Sequence, residues 1–147
     1  MKKVLIAGAT GAMGQKAVDL VNSLAGFEIT AALAPTLTKE NMADFHLASS
    51  VHPYQTLDEI EDGVADIWID FTLPSAVYQN VKFALEHGMR PIVGTTGLTD
   101  EQQADLVRLS EEKQEGGLIA ANFGMSAVLL MKFAQEAAKK FPDLENI

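Results

Sequence analysis

Residues 2–14 read KKVLIAGATGAMG, and QKAVDLVNSL follows directly. The apolar run over 2–8 is of the kind made by a strand buried on both faces. Residues 12–24 then place Met13, Ala17, Val18, Val21 and Leu24 on one helical face. Gly8, Gly11 and Gly14 stand three apart across this strand-to-helix junction. A glycine directly after the strand permits a tight turn, a second lets backbone approach a diphosphate, and a third lets the helix pack on the strand. The free N–H groups at the start of the helix near Ala12 make an anion site that needs no basic side chain. The turn is therefore expected to hold a dinucleotide, although its spacing is G-x-x-G-x-x-G rather than G-x-G-x-x-G.

The rest of the chain repeats the alternation. Strands are expected over 27–34, briefly after Val51, over 65–72, over 90–97 and over 116–123. Helices are expected from Thr56 (short), over 75–88 with Gly88 just past the end, after the cap Thr99, and over 125–141. Residues 35–50 read as a loop with at most a short helical turn. This order predicts an α/β fold, a Rossmann-like doubly wound parallel sheet with helices on both faces. The 125–141 segment is apolar over much of its circumference, which predicts a patch open to self-association.

At 147 residues, 48% of them hydrophobic, the chain suits one compact domain. Its net charge of -9, with two arginines, disfavours nucleic acid and anionic membranes as partners. It has no cysteine, which removes disulfides and thiolate chemistry. The N-terminal apolar run is too short for a signal peptide, no run of about 18 apolar residues occurs, and the expected location is cytoplasmic. No H-E-x-x-H or acid-histidine cluster offers a metal site.

Cofactor choice is read about 20 residues beyond the glycine turn, at the end of the second strand. Ala34 and Pro35 stand there, with Thr36, Thr38 and Lys39 nearby. With no acid to repel a 2′-phosphate, NADPH is admitted beside NADH. Two later strand ends carry polar groups where open sheets bind ligands: DFT at 70–72, which includes Phe71, and GTTG at 94–97. Thr95 and Thr96 could hold a carboxamide or a substrate carboxylate, or else form a turn and cap for the next helix. At the end of the sixth strand, Asn122 offers donor and acceptor to an amide, and Phe123 a cover for a nicotinamide face.

GATGAMG, IDFTLP, VGTTGLT and AANFGMSAVLLMKF, in this order and spacing, closely resemble the N-terminal half of the bacterial dihydrodipicolinate (4-hydroxy-tetrahydrodipicolinate) reductases of lysine and diaminopimelate biosynthesis. The resemblance covers essentially the whole chain. It implies that Gly8, Ala9, Thr10, Gly11, Ala12 and Met13 bind the cofactor diphosphate. It further implies that Gly94, Thr95 and Thr96 hold the nicotinamide carboxamide with Thr96 near the substrate, and that Ala120, Ala121, Asn122 and Phe123 line the nicotinamide side. Two positions depart from the family: Ala12, where an arginine is usual, and Ala34, where many members carry an acid.

The family reaction is hydride transfer from NAD(P)H to a cyclic dicarboxylate, and its members are homotetramers. Their acid-base residues, a His-His pair and a following lysine, come from a second domain. The chain ends at FPDLENI, about where the strand leading to that motif would begin. The resemblance thus implies a nucleotide-binding domain over 1–124, a connecting helix over 125–147, and no catalytic residue in this chain. His46 and His52 are expected in loops and His87 at a helix end, all solvated. Two alternatives stand beside this. Tyr78 and Lys82 have the Y-x-x-x-K spacing of short-chain dehydrogenases. A dinucleotide fold can also serve a redox-sensing binding module without turnover.

Overall fold

A computed structural model describes residues 1–119. Six strands form one sheet: β1 (Lys2–Ala7), β2 (Phe27–Leu33), β3 (His52–Tyr54), β4 (Ile67–Asp70), β5 (Arg90–Val93) and β6 (Leu118–Ile119). Every pairing is parallel and the order is β3-β2-β1-β4-β5-β6. The chain moves outward from β1 through β2 to β3, returns to lay β4 beside β1, and then moves outward the other way. That reversal leaves a crevice beyond the carboxyl ends of β1 and β4, where doubly wound sheets bind ligands.

Period-2 alternation, shifted by one residue in β2 where the pairing with β1 skips Thr30, divides the core into two layers. Val4, Ile6, Ile29, Ile67 and Ile69 pack with Ala17, Val18 and Val21 of α1 (Ala12–Ser23). Leu5, Ala7, Ala31, Leu33 and Trp68 pack with Ala84 of α2 (Val77–Glu86). Val77, Val81 and Leu85 join Val93 and Leu106 of α3 (Asp100–Lys113). Both faces of the central strands are thus covered, which explains their continuous apolar runs. α3 begins with a reciprocal cap, in which the Thr99 hydroxyl accepts from the Gln102 amide and the Gln102 side chain accepts from the Thr99 amide.

Within residues 1–119 the expected order of elements is found, with two local differences. The helix expected from Thr56 is a three-residue 3₁₀ turn, Leu57–Glu59, because Ile60 returns to extended backbone. The loop over 35–50 carries the short helical turn allowed for it, a 3₁₀ turn over Met42–Phe45 with Met42 buried. His52, expected in a loop, starts the edge strand β3. The expected helix over 125–141 lies outside the described residues.

Candidate functional site

The glycine turn is built by close backbone approach. The Gly8 amide donates to the Leu33 carbonyl at 2.8 Å, and Gly8 has φ 84°, in the left-handed region. A Cβ on Gly8 would lie 2.1 Å from the Phe71 carbonyl oxygen, and one on Gly14 would lie 1.8 Å from the Gly8 carbonyl oxygen. These two positions are therefore demanded by the fold itself. Gly11 differs. It caps α1 with φ -81°, which any residue adopts, and a Cβ there would meet only the Gly8 carbonyl oxygen, at an ordinary 3.5 Å. No side chain caps this end of α1 and no acid lies in its first turn, so its amides face the crevice without a competing anion.

A cleft of about 390 Å³ opens from this turn. Gly8, Thr10 and Gly11 form one wall, Ala34 and Pro35 a second, and Phe71 and Thr72 a third. Among the described residues, no charged one lines it. Ala34 is buried while Pro35, Thr36 and Lys39 are exposed. Thr38 and Asn41 bond each other, the Thr38 amide donating to Asn41 Oδ1 at 2.8 Å, and Asn41 Nδ2 donates to the Thr36 carbonyl. This fixes the loop beside the cleft. Gln55, Thr56 and Leu57 also line it, which sequence reasoning missed because they follow a three-residue strand that carries no motif.

A smaller hollow of about 180 Å³ lies between the ends of β4 and β5, lined by Met13, Phe71, Thr72, Pro74 and residues 94–96. Phe71 and Thr72 border both spaces. The Phe71 ring lies so close over Gly94 that a Cβ there would be 2.0 Å from a ring carbon. Of the expected residues, Ala9 is buried in the core, Ala12 and Thr96 are exposed, and Thr95 is 7% exposed. The Thr95 hydroxyl donates to Asp70 Oδ1 at 2.6 Å. Neither Thr95 nor Thr96 caps α3, since Thr99 does. Ala120, Ala121, Asn122 and Phe123 lie outside the described residues.

Beneath the two spaces is a fully buried carboxylate that sequence reasoning did not single out. Asp70 Oδ1 accepts from the hydroxyls of Thr72 and Thr95, each at 2.6 Å, and from the Thr72 amide at 3.1 Å. Asp70 Oδ2 accepts from Trp68 Nε1 at 3.0 Å and from Asn80 Nδ2 at 3.1 Å. The charge is held by dipoles alone, without a cation among these partners. The only local signal was an acid inside the apolar run IWIDFT, since its partners lie as far off as Thr95.

The Y-x-x-x-K reading does not survive the geometry. The Tyr78 hydroxyl donates to Asp105 on α3, and this bond, with burial second, pushes the phenol above its ordinary value. A dehydrogenase tyrosine needs the opposite shift. Lys82 Nζ lies 6.0 Å from the Tyr78 ring centroid, and neither residue lines either space beyond the crevice. The three histidines are exposed: His46 meets Asp19 at 2.8 Å, His52 stacks on Tyr54, and His87 stacks on Phe83. Among the described residues, no group of three His, Asp or Glu side chains is placed to hold a metal ion, and no helix is long and apolar enough to cross a membrane.

The sheet order, the glycine turn and the crevice define a Rossmann-like α/β domain of the oxidoreductase type. The model of the family "Dihydrodipicolinate reductase, N-terminus" matches residues 2–123, and the chain belongs to that family. It is 62% identical over 146 residues to 4-hydroxy-tetrahydrodipicolinate reductase of Lactobacillus helveticus, covering 99% of this chain and 56% of that protein. It is 61% identical to the enzyme of the same name from Lactobacillus acidophilus, with the same coverage. Among solved structures, the dipicolinate-bound dihydrodipicolinate reductase from Paenisporosarcina sp. TG-14 superposes with a TM-score of 0.72 at 35% identity, over 97% of this chain and 56% of that one. The chain thus spans little more than half the length of the relatives it matches.

Proposed function

We propose that this chain is the NAD(P)H-binding part of a 4-hydroxy-tetrahydrodipicolinate reductase, acting in lysine and diaminopimelate biosynthesis. The observation that carries the reading is the clear space above Gly11: two glycines are required by the fold, and the third leaves room for a ligand. The amides of Ala12 and Met13 in the 8–13 turn hold the diphosphate, while the Gly11 amide is spent on the Gly8 carbonyl, and the cleft walled by Ala34 and Pro35 takes the adenosine. Because no acid lines that wall, a 2′-phosphate is admitted, and both NADPH and NADH bind. The hollow formed by Phe71, Gly94, Thr95 and Thr96 receives the nicotinamide, with Ala120, Ala121, Asn122 and Phe123 assigned to the same end by resemblance. When bound, the reduced nicotinamide supplies a hydride to a cyclic dicarboxylate. Thr96, exposed at the rim, meets that substrate.

The same resemblance supports a division into a nucleotide-binding domain over 1–124 and a connection over 125–147, a homotetrameric complete enzyme, and a cytoplasmic location. By the same resemblance the proton donor is assigned to a second domain of the complete enzyme; the three histidines of this chain are exposed. Calorimetric titration with NADPH and NADH, followed by an assay of hydride consumption with freshly generated substrate, tests the reading. Binding of both dinucleotides without turnover is expected. Absence of binding would overturn it, and turnover by this chain alone would overturn the placement of the acid-base groups.

A further inference from the structure

A buried carboxylate is costly unless several donors compensate for the lost water, and Asp70 has five donor contacts. Its partners come from three elements. Trp68 and Thr72 belong to β4 and its exit, Asn80 to α2, and Thr95 to the exit of β5. The two hydroxyls are directional. Each donates to Asp70 Oδ1, the Thr95 hydroxyl lying also 3.2 Å from the Asp70 carbonyl oxygen, and each accepts in turn: Thr95 Oγ1 from the Thr72 amide at 2.8 Å, and Thr72 Oγ1 from Asn80 Nδ2 at 3.2 Å. An acceptor-only group at the centre thus fixes the rotamer of both threonines.

What this fixes is the spacing of two backbone segments that wall the smaller hollow. The Gly94 amide donates to the Asp70 carbonyl at 2.7 Å, the Phe71 amide to the Ala7 carbonyl at 2.9 Å, and the Phe71 ring is pressed onto Gly94. Loss of the Thr95–Asp70 bond would free the segment after Gly94 to shift relative to Phe71, while the glycine turn keeps its own bonds to β2 and α1. We propose that Asp70 is a positioning residue for the nicotinamide end of the site: through the Thr95 and Thr72 hydroxyls it sets the gap between Phe71 and residues 94–96. This rests on the dinucleotide reading given above.

The test compares two probes on the 147-residue chain, NADH and ADP-ribose, which differ by the nicotinamide nucleoside. Thr95→Val keeps the side-chain shape and removes the hydroxyl, Thr95→Ser keeps the hydroxyl, and Asp70→Asn removes the charge without changing the volume. Thermal melts verify that each variant is folded. The ratio of NADH to ADP-ribose affinity is expected to fall roughly three- to tenfold in Thr95→Val. Should that variant not fold, Asp70→Asn gives the same fall. ADP-ribose affinity should stay within about twofold of the parent, and Thr95→Ser should restore the ratio. An unchanged ratio in a folded variant, or equal losses for both probes, would overturn the positioning role, the latter because a general loosening of the fold acts on both. Failure of the parent chain to bind either probe would instead overturn the dinucleotide reading itself.

Discussion

Gly8 and Gly11 stand three residues apart in one turn, and the structure gives them opposite sensitivities. Gly8→Ala meets both a left-handed backbone and the Phe71 carbonyl, and is expected to destabilise the chain by roughly 3 kcal/mol or more. Gly11→Ala meets neither; the gain from a stiffer unfolded chain is opposed by the poorer N-cap that alanine makes, so stability should change by no more than about 1 kcal/mol. Its methyl would occupy the space assigned to the diphosphate, and NADH affinity should drop roughly tenfold or more. Denaturant midpoints and calorimetry on the two variants separate these effects. A Gly11→Ala chain that unfolds, or that binds as tightly as the parent, would contradict the division of roles. The glycine spacing was readable from sequence, because strand, turn and helix are contiguous there. Which glycines the fold itself requires was not, since the Phe71 carbonyl that crowds Gly8 is brought in by the sheet.

α2 and α3 are joined by a polar pair as well as by their apolar seam. The Tyr78 hydroxyl donates to Asp105, and Arg108 pairs with the same carboxylate. The Tyr78 bond is the main reason the Asp105 carboxyl is held below its usual value, with burial opposing and Arg108 and Lys82 assisting. A depressed carboxyl stabilises the fold above its unfolded titration range and loses that contribution as pH falls through the folded value. The phenol is shifted upward, so its contribution is complete below its ordinary value of 10.0 and is lost as pH rises through the folded one. Denaturation midpoints of Tyr78→Phe and the parent should therefore differ at neutral pH and converge at both acid and strongly alkaline pH. Because the pair is at the surface, the difference should be small. A gap that is constant across pH would contradict the linkage. At this scale the elements themselves were legible, because apolar period and capping residues are local: the Thr99–Gln102 cap is spelled out in TDEQ, four consecutive residues. The Asp70 network was hidden for the opposite reason. It draws on Trp68, Thr72, Asn80 and Thr95, which only the topology brings together.

For the molecule as a whole, a net charge of -9 and an anionic ligand are reconciled by the placement of dipoles. The crevice at the β1–β4 switch is lined by uncharged residues and faces the uncapped start of α1, so the negative charge lies elsewhere on the surface. Family membership was legible in four short motifs. Of the larger cleft, Ala34 and Pro35 were legible, but Gln55, Thr56 and Leu57 were not, because they reach it only through the edge strand β3. The central claim is that one dinucleotide lies across this crevice from Ala34 to Thr96. The most direct measurement is amide chemical-shift mapping of the isotope-labelled chain titrated with NADPH. The largest changes are predicted at residues 8–13, at Phe71 and Thr72, and at residues 94–96, with α3 beyond its first turn unaffected. Changes concentrated on α3 or on the outer face of α2, or no changes at saturating NADPH, would contradict the claim.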